Sequence, residues 1–378
     1  MTPCKKVSVL VQILFLMATG GFPAVAADDG FMKVTGPCGL SFPADHGPHP
    51  DYRTEWWYYT GNLTGRDGHR FGFQLTFFRR GIQPPADRKG WPDPSSAWRT
   101  DQIYLAHAAI SDITGGRHPQ ADRMARPVLS MAGAELADGD VTIHLHGWQA
   151  TITPQGHRLQ ADAGDFALAL DLTALKPPVP HGEGGYSRKG QSPDRASCYY
   201  SFTRLHATGS LTVAGTRHTV QGTAWMDHEF STAPLQPGIV GWDWFSLQLA
   251  DHSEVMLFLL RQPDGTLNPA SSGTVVLPGG DTRHLTLGDV RVTPLSFWTS
   301  PHSGARYPVG WRLRVLPLQL DFTLTASLKD QEMRTPHSTG VVYWEGSVQA
   351  RGTGHEKTID GVGYVELTGY AAPFDAPM

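Results

Sequence analysis

One short stretch of this chain combines acidic groups and aromatic rings in a way that suits proton transfer. Residues 224 to 230 read Ala-Trp-Met-Asp-His-Glu-Phe, and residues 242 to 245 read Trp-Asp-Trp-Phe. A carboxyl group held against indole rings is poorly solvated, so its pKa rises and it can stay protonated near neutral pH. A protonated carboxyl group of this kind is a general acid. The candidate catalytic residues are therefore Asp227, His228, Glu229 and Asp243.

Aromatic side chains near these acids are candidates for a substrate-binding wall. An earlier run, residues 55 to 58, reads Glu-Trp-Trp-Tyr. Aromatic faces attract positive charge through their quadrupoles. An acid beside such faces suits protonation of an electron-rich double bond, followed by attack of water. The candidate substrate-binding residues are Glu55, Trp56, Trp57, Tyr58, Trp225, Trp242 and Trp244.

The elements that carry these residues are predicted to be β-strands. Side chains two positions apart in a strand lie on the same face. Asp227 and Glu229 would therefore share one face, while His228 lies on the other. Asp243 would lie on the face opposite to the tryptophans on either side of it.

Two other interpretations of the same residues stay open. Buried strand carboxylates often pair with arginine, for which Arg79, Arg80 and Arg204 are candidates. The aromatic strands would then line a barrel that only binds an apolar ligand. A third interpretation, hydrolysis, lacks support, because no G-x-S-x-G, H-E-x-x-H or paired C-x-x-C pattern is present. We expect no metal site and no cofactor, since the chain also lacks a P-loop and a dinucleotide fingerprint.

The composition is typical of an all-β protein. Among 378 residues, 42 are Gly, 29 are Pro and 11 are Trp, and only 17% are charged. Such a profile indicates many turns between short strands. The net charge of −4 does not favour nucleic acid as a partner.

The first 27 residues have the outline of a secretory signal peptide. Lys5 and Lys6 precede an apolar run, and an A-x-A pattern ends just before Asp28. The run is too short to span a bilayer, and no later stretch is long enough, so we expect an exported mature chain with no transmembrane segment. In an oxidising compartment Cys38 and Cys198 could pair, but two isolated cysteines leave this open.

The strand pattern divides the mature chain into two halves. We predict one domain over residues 28–233 and a second over 234–378, with a linker at residues 234 to 238. Each half opens on an aromatic hairpin, which suggests a duplicated β-domain. Asp122–Ala137 is the one segment in which a short helix is considered. A long loop such as that from Lys176 to Ala196 is usually either functional or disordered.

Four separated motifs resemble the carotenoid 1,2-hydratase / AttH-like family, in the branch called predicted secreted hydrolases. The motifs include Tyr52-x-x-Glu-Trp-Trp-Tyr and, at residues 225 to 230, Trp-Met-Asp-His-Glu-Phe. The others lie at residues 190 to 205 and at residues 363 to 370. The resemblance implies two tandem lipocalin-like β-barrel domains and hydration without a redox cofactor. It also implies a periplasmic location and an ABC transporter of the lipoprotein-release type as a partner.

These observations together favour a periplasmic hydratase that acts on a hydrophobic small-molecule ligand with a double bond. Asp227 or Asp243 would be the general acid, and Glu229 or His228 would position or deprotonate water. The alternative is a carrier of a lipid or isoprenoid, without turnover. Because ligand sites often lie between domains, we expect the site near the junction of the two halves.

Overall fold

Two antiparallel sheets account for almost all of the regular structure. The computed structural model describes residues 30–93, 96–232, 235–354 and 357–374. The chain is 58% strand and 4% helix, which confirms the all-β prediction. The predicted signal peptide lies outside the described residues. None of the helices in the described ranges has the length and apolar character needed to cross a membrane.

The first sheet is a nearly closed barrel. Its thirteen strands follow the order β4-β3-β2-β1-β13-β12-β9-β8-β7-β6-β5, and β10 and β11 pair with β12. The strands are β1 (Thr54–Gly65), β2 (Arg70–Gly81), β3 (Gln102–Asp112), β4 (Gln120–Ala125), β5 (Ala132–Ala137), β6 (Asp140–Leu145), β7 (Trp148–Thr153), β8 (Gly156–Asp162), β9 (Phe166–Ala174), β10 (Val179–Pro180), β11 (Tyr186–Arg188), β12 (Ala196–Val213) and β13 (Thr216–Ser231).

The second sheet is a half-barrel. Its ten strands follow the order β17-β16-β15-β14-β23-β22-β20-β19-β18, and β21 pairs with β22. The strands are β14 (Gly241–Leu249), β15 (Glu254–Arg261), β16 (Ser272–Val276), β17 (Thr282–Thr286), β18 (Val290–Thr299), β19 (Arg306–Val315), β20 (Leu320–Ala326), β21 (Glu332–Arg334), β22 (Val342–Gly354) and β23 (Lys357–Leu367). Short 3-10 helices lie at Ala44–His46, Pro85–Gly90, Leu287–Asp289 and Leu316–Leu318.

The two halves repeat one topological feature. The first strand of each half pairs with the last strand of the same half, β1 with β13 and β14 with β23. The prediction of two tandem lipocalin-like domains is confirmed, with the difference that the second sheet closes only half-way. The exact boundary between the halves stays a prediction.

The helix considered for Asp122–Ala137 is absent. Its residues form β4, a connection and β5, the two strands at the ends of the first sheet. β4 pairs with β3, and β5 pairs with β6. Partners distant in sequence therefore decide the conformation of a segment whose local preference is weak.

Both faces of β1 are buried along its run of four aromatic residues, Trp56 to Tyr59. Trp57 and Tyr59 point into the core of the first barrel. Tyr58 points the other way, into a cluster with Trp225 and Trp244 that joins the two sheets. A strand covered on both faces loses the alternation of apolar and polar residues.

A disulfide joins Cys38 to Cys198, and so ties the N-terminal segment to β12. The pairing that the sequence left open is therefore present. The two cysteines are 160 residues apart in the sequence.

Candidate active site

A cavity of about 470 Å³ lies between the two sheets. Strands β1, β2 and β13 form one wall, and β14, β22 and β23 form the opposite wall. This position agrees with the expected site near the junction of the halves. The side chains that line the cavity include Trp56, Tyr58, Phe78, His107, Lys189, Tyr199, Asp227, Glu229, Trp242, Trp244, Phe258, Tyr343, Glu345 and Glu366.

The register of the first sheet brings the acids of β13 next to aromatic residues of its neighbours. Asp227 lies opposite Tyr58 on β1 and opposite Ser201 on β12. Glu229 lies opposite Trp56 on β1 in the same way. Because these positions are all two apart along their strands, their side chains share the face that forms the cavity wall.

Asp227 is a buried carboxyl group surrounded by neutral donors. Its Oδ2 accepts a hydrogen bond from the Tyr199 hydroxyl at 2.7 Å. Its Oδ1 accepts hydrogen bonds from Trp225 Nε1 at 2.6 Å and from the Ser201 hydroxyl. Burial and the nearby charge of Glu229 outweigh these donors and raise the pKa of Asp227 to about 7. The group can therefore hold or release a proton near neutral pH.

A second row of hydrogen bonds holds the donors of Asp227 in place. Trp244 Nε1 donates to the Tyr199 hydroxyl at 3.1 Å. His181 Nε2 lies 2.6 Å from Ser201 Oγ, and its Nδ1 lies 2.8 Å from Thr274 Oγ1. Burial lowers the pKa of His181 to about 3, so this imidazole is neutral at physiological pH. Asp227 is thus fixed by residues from both sheets.

Glu229 differs from Asp227 because it has a cationic partner. Lys189 Nζ lies 3.0 Å from Glu229 Oε1. The contact is a charge pair and not a well-aligned hydrogen bond, because Lys189 Nζ has no partner that meets hydrogen-bond geometry among the described residues. The ammonium also lies 3.9 Å from the centre of the Phe258 ring. Lys189 follows directly after β11, within the long loop that the sequence predicts at residues 176 to 196.

Two more carboxyl groups lie in the wall formed by the second sheet. Glu345 on β22 and Glu366 on β23 are direct cross-strand partners. Burial raises the pKa of Glu366 to about 7, in spite of a hydrogen bond from Trp242 Nε1 at 2.9 Å. Burial and the neighbouring Glu366 raise the pKa of Glu345 well above its usual range. Glu345 therefore favours its protonated form at neutral pH, while Glu366 can hold or release a proton there.

Tyr58 and Glu345 retain unused hydrogen-bonding capacity at the cavity. The Tyr58 hydroxyl and Glu345 Oε1 are buried, and neither makes a hydrogen bond of standard geometry within the described part of the chain. The Tyr58 and Tyr343 hydroxyls are nevertheless near enough to lower the pKa of Glu345 slightly against the effect of burial. Such groups are suited to a polar group on a bound ligand.

Three of the candidate residues point into the first barrel and not into the cavity. Glu55, Trp57 and His228 lie on the inner face of β1 and β13. His228 Nε2 is 2.9 Å from Glu55 Oε1, and Arg79 Nε donates to Glu55 Oε2 at 2.8 Å. Although burial opposes its charge, these contacts hold the pKa of the Glu55 carboxyl well below its usual range. Arginine pairing, one of the open interpretations, therefore describes Glu55.

Asp243 and Trp225 also stand apart from the cavity lining. Asp243 lies on the face of β14 opposite to Trp242 and Trp244, as its strand position predicted. Its Oδ1 accepts a hydrogen bond from Arg261 Nε at 2.8 Å, and the Tyr370 hydroxyl contacts the same carboxylate. Trp225 is buried behind the wall, where it packs beside Trp244 and donates a hydrogen bond to Asp227.

The site residues predicted from the sequence did not include Lys189, Tyr199, Glu345 and Glu366. Signals for them existed, because Glu366 lies within the fourth family motif and Tyr199 within the second. Glu345 follows Trp344 in an aromatic strand, much as Glu55 precedes Trp56. What the sequence lacked was the long-range strand register that places these residues on one cavity.

Within the described residues, two clusters each bring together three side chains that can bind a metal ion. One consists of His49, Glu55 and His228, and the other of Asp67, His69 and His218. Neither cluster lines the cavity. No metal site was expected from the sequence, since spacing along the chain does not reveal either cluster.

The comparisons with known proteins agree with this architecture. Residues 33–370 match the AttH-like family. A crystal structure described as AttH from Nitrosomonas europaea is 35% identical, has a TM-score of 0.79, and aligns over 90% of this chain and 100% of its own.

Two kievitone hydratases are also similar. That of Fusarium solani subsp. phaseoli is 24% identical over 236 residues, which are 60% of this chain. The match spans 65% of that relative, less than two thirds of its length. The crystal structure of kievitone hydratase from Nectria haematococca has a TM-score of 0.68 at 15% identity, and covers 90% of this chain and 96% of its own. The family match over nearly the whole described chain establishes that this protein belongs to the AttH-like family.

Proposed function

We propose that this protein is a hydratase that adds water to a double bond of a lipophilic substrate in the cavity between the sheets. The observation that carries the proposal is Asp227. It is a buried carboxyl group in the cavity wall, its donors are neutral, and its pKa is raised to about 7. A general acid works best when its pKa is close to the operating pH.

In the proposed reaction Asp227 supplies the proton. The O–H bond of the protonated carboxyl group breaks, and the π pair of the substrate forms a C–H bond with that proton. The neighbouring carbon becomes cationic, and the oxygen of a water molecule forms a bond to it. Glu229 then accepts the proton that the water loses, and exchange through solvent returns a proton to Asp227. The net change is the addition of one water.

The cavity wall suits the charge that develops in this reaction. Trp56, Trp242 and Trp244 line the cavity, and an indole face turned toward a cation favours it by about 0.5–2 kcal/mol. Glu229 is paired with the Lys189 ammonium. Of the two acids, Asp227 is the proton donor and Glu229 is the proton acceptor. The volume of about 470 Å³ lies within the range of roughly 300–1,000 Å³ typical of small-molecule sites.

Similarity supports the same reaction class. The curated relative that aligns with this chain is named for hydration of kievitone. At 24% identity the name supports a reaction type more than a substrate. Kievitone is therefore a reasonable first probe, and carotenoids are a second.

The carrier alternative has less support from the site. It would be favoured by an arginine on both Asp227 and Glu229. In the described part of the chain Glu229 pairs with a lysine, and Asp227 accepts its hydrogen bonds from neutral groups. A carrier also has no need for a carboxyl group that titrates near neutral pH.

We further propose that the protein is exported to the periplasm and works beside an ABC transporter of the lipoprotein-release type. The Cys38–Cys198 disulfide supports an oxidising compartment. Intact mass measurement of the protein from a periplasmic extract tests the first part. Loss of residues 1–27 is the expected result, and a full-length cytosolic chain would contradict it.

The experiment for the catalytic proposal is a screen of unsaturated aromatic and isoprenoid compounds, including kievitone. Quenching of tryptophan fluorescence identifies compounds that bind, and mass spectrometry then detects products. We expect at least one bound compound to gain the mass of one water with the wild type and not with Asp227→Asn. Binding without conversion by the wild type, for every bound compound, would favour the carrier.

A further inference from the structure

The tips of two neighbouring hairpins bring together two imidazoles and a carboxylate, far from the cavity. Asp67 and His69 lie in and after the β1–β2 turn, and His218 lies near the start of β13. One ligand atom from each lies within 4.8 Å of the others. The pairing of Gly65 with Val220, where β1 runs beside β13, brings these tips together.

His69 is oriented by a carboxylate on the far side of its ring. Its Nε2 lies 2.6 Å from Asp112 Oδ1. Asp112 is itself held by the Gly115 backbone N–H at 2.7 Å and by Arg117 Nη2 at 3.0 Å. Because a carboxylate only accepts hydrogen bonds, His69 Nε2 carries the proton in the neutral ring, and Nδ1 carries the lone pair. Metal-binding histidines are oriented in the same way.

The other two side chains also have atoms to offer. Asp67 Oδ1 accepts the backbone N–H of His69 at 3.0 Å, and Oδ2 is 3.9 Å from His218 Nδ1, too far for a hydrogen bond. The His69 and His218 rings both pack on Phe71, with centroids 4.6 and 5.0 Å away. The two imidazole rings are thus held in place, and within the described chain the lone pairs of His69 Nδ1 and of His218 accept no hydrogen bond.

The other cluster, formed by His49, Glu55 and His228, has no such available lone pairs on its imidazoles. Both nitrogens of His49 have carboxylate partners, Glu55 and Asp45. Both nitrogens of His228 are also engaged, and the Arg79 guanidinium already neutralises Glu55. A cation there would have to displace an arginine, so that cluster is an ion-pair network.

We propose that Asp67, His69 and His218 form a binding site for a divalent transition metal, with Zn²⁺ as its best-matched ion. Two imidazoles and one carboxylate are a common zinc ligand set that leaves a fourth position for water. Bonds of about 2.0–2.2 Å require the three ligands to approach one another. The Asp67 side chain is 62% exposed, and so is free to rotate inward. The bound ion would link the β1–β2 hairpin to the β12–β13 hairpin.

Calorimetric titration of the tag-free full chain with Zn²⁺ alone tests this site, and it does not depend on any enzymatic activity. We expect one saturable ion per chain and loss of that binding in His69→Asn and in His218→Asn. Asp112 contacts His69 on the side of the ring that faces away from the proposed ion. Asp112→Asn should therefore weaken Zn²⁺ binding by about 10–100-fold. His206→Asn removes an exposed histidine outside the cluster and serves as the matched control.

Co²⁺ titration gives a second readout, because its visible absorption reports the coordination geometry of the ion, and loss of that absorption in the two His→Asn variants would assign the imidazoles as ligands. Circular dichroism of each variant without metal shows that it is folded. Absence of saturable Zn²⁺ binding by the wild type would overturn the proposal. Equal affinity and stoichiometry in folded His69→Asn and His218→Asn variants would overturn it as well.

Discussion

At the scale of single residues, orientation and charged partners distinguish acids that look alike in the sequence. Asp227 and Asp243 both lie beside tryptophans, and burial raises the pKa of both. Asp243, however, faces away from the cavity and is paired with Arg261. Asp227 faces the cavity and has no such partner in the described chain. The same pattern in the sequence therefore serves an ion pair at one position and a candidate proton donor at the other.

The titration of Asp227 leads to a prediction for the pH dependence of the reaction. Its carboxyl group must be protonated to act as the acid, and its pKa is about 7. We expect kcat/KM for hydration to fall about tenfold per pH unit above about pH 7, where Asp227 loses its proton. A pH–rate profile checks this, with Asp243→Asn as the control that keeps the same profile. A rate that rises above pH 7 would assign Asp227 the role of a base.

At the scale of elements, strand periodicity predicts which residues share a face but not which way that face points. Glu55 and Trp57 share a face, as a strand requires, and this face turns into the barrel. Because the aromatic run of β1 is covered on both sides, residues 56 to 59 contain no polar face that would mark the outside. Strand periodicity also cannot identify Lys189, Glu345 and Glu366 as site residues, for another reason. Their approach to Asp227 depends on pairings between strands that are distant in the sequence.

The loop after β11 supplies a cation that the buried Glu229 needs. Lys189→Met would leave Glu229 without its counter-charge, and breaking a buried pair in this way costs about 3–5 kcal/mol. Denaturant unfolding of Lys189→Met should show a loss of that order in the free energy of unfolding. The double variant Lys189→Met/Glu229→Gln should recover most of it. Equal losses in the single and double variants would show that the pair is not coupled.

The disulfide anchors the N-terminal segment to β12, the strand that holds Tyr199 and Ser201. A cross-link between residues 160 positions apart strongly reduces the conformational entropy of the unfolded chain. We expect Cys38→Ala/Cys198→Ala to lose about 2–5 kcal/mol in the free energy of unfolding. Wild type treated with a reductant should unfold at the same denaturant concentration as the variant. An unchanged midpoint in both samples would show that the bond is absent in solution.

At the scale of the whole molecule, polar contacts clamp the two sheets together around the cavity. On one side Arg204 and Lys176 of the first half hold Glu254 of the second. On the other side the Tyr343 hydroxyl lies 2.8 Å from His107 Nδ1, and Asn62 donates to the Gly363 carbonyl. The cavity walls are therefore fixed relative to each other before a substrate binds, as preorganised catalysis requires.

Buried neutral histidines determine how the folded molecule responds to acid. Burial lowers the pKa of His107, His157 and His181 to about 3 in each case, against an unfolded value near 6.5. A lowered folded-state pKa stabilises the native state fully above about pH 6.5, and this contribution is lost as the pH falls toward 3. The free energy of unfolding of His157→Gln should thus fall less steeply than that of wild type between about pH 6.5 and 4. Identical slopes would contradict this assignment.

The most direct measurement is a comparison of wild type and Asp227→Asn with the same bound compound, in which Kd comes from fluorescence quenching and kcat from product mass. The asparagine keeps the size and most hydrogen bonds of the side chain but cannot supply the proton. We predict a Kd within a few-fold of wild type and a kcat lower by about 10²–10⁴-fold. An unchanged kcat in Asp227→Asn would contradict the claim that this carboxyl group is the proton donor.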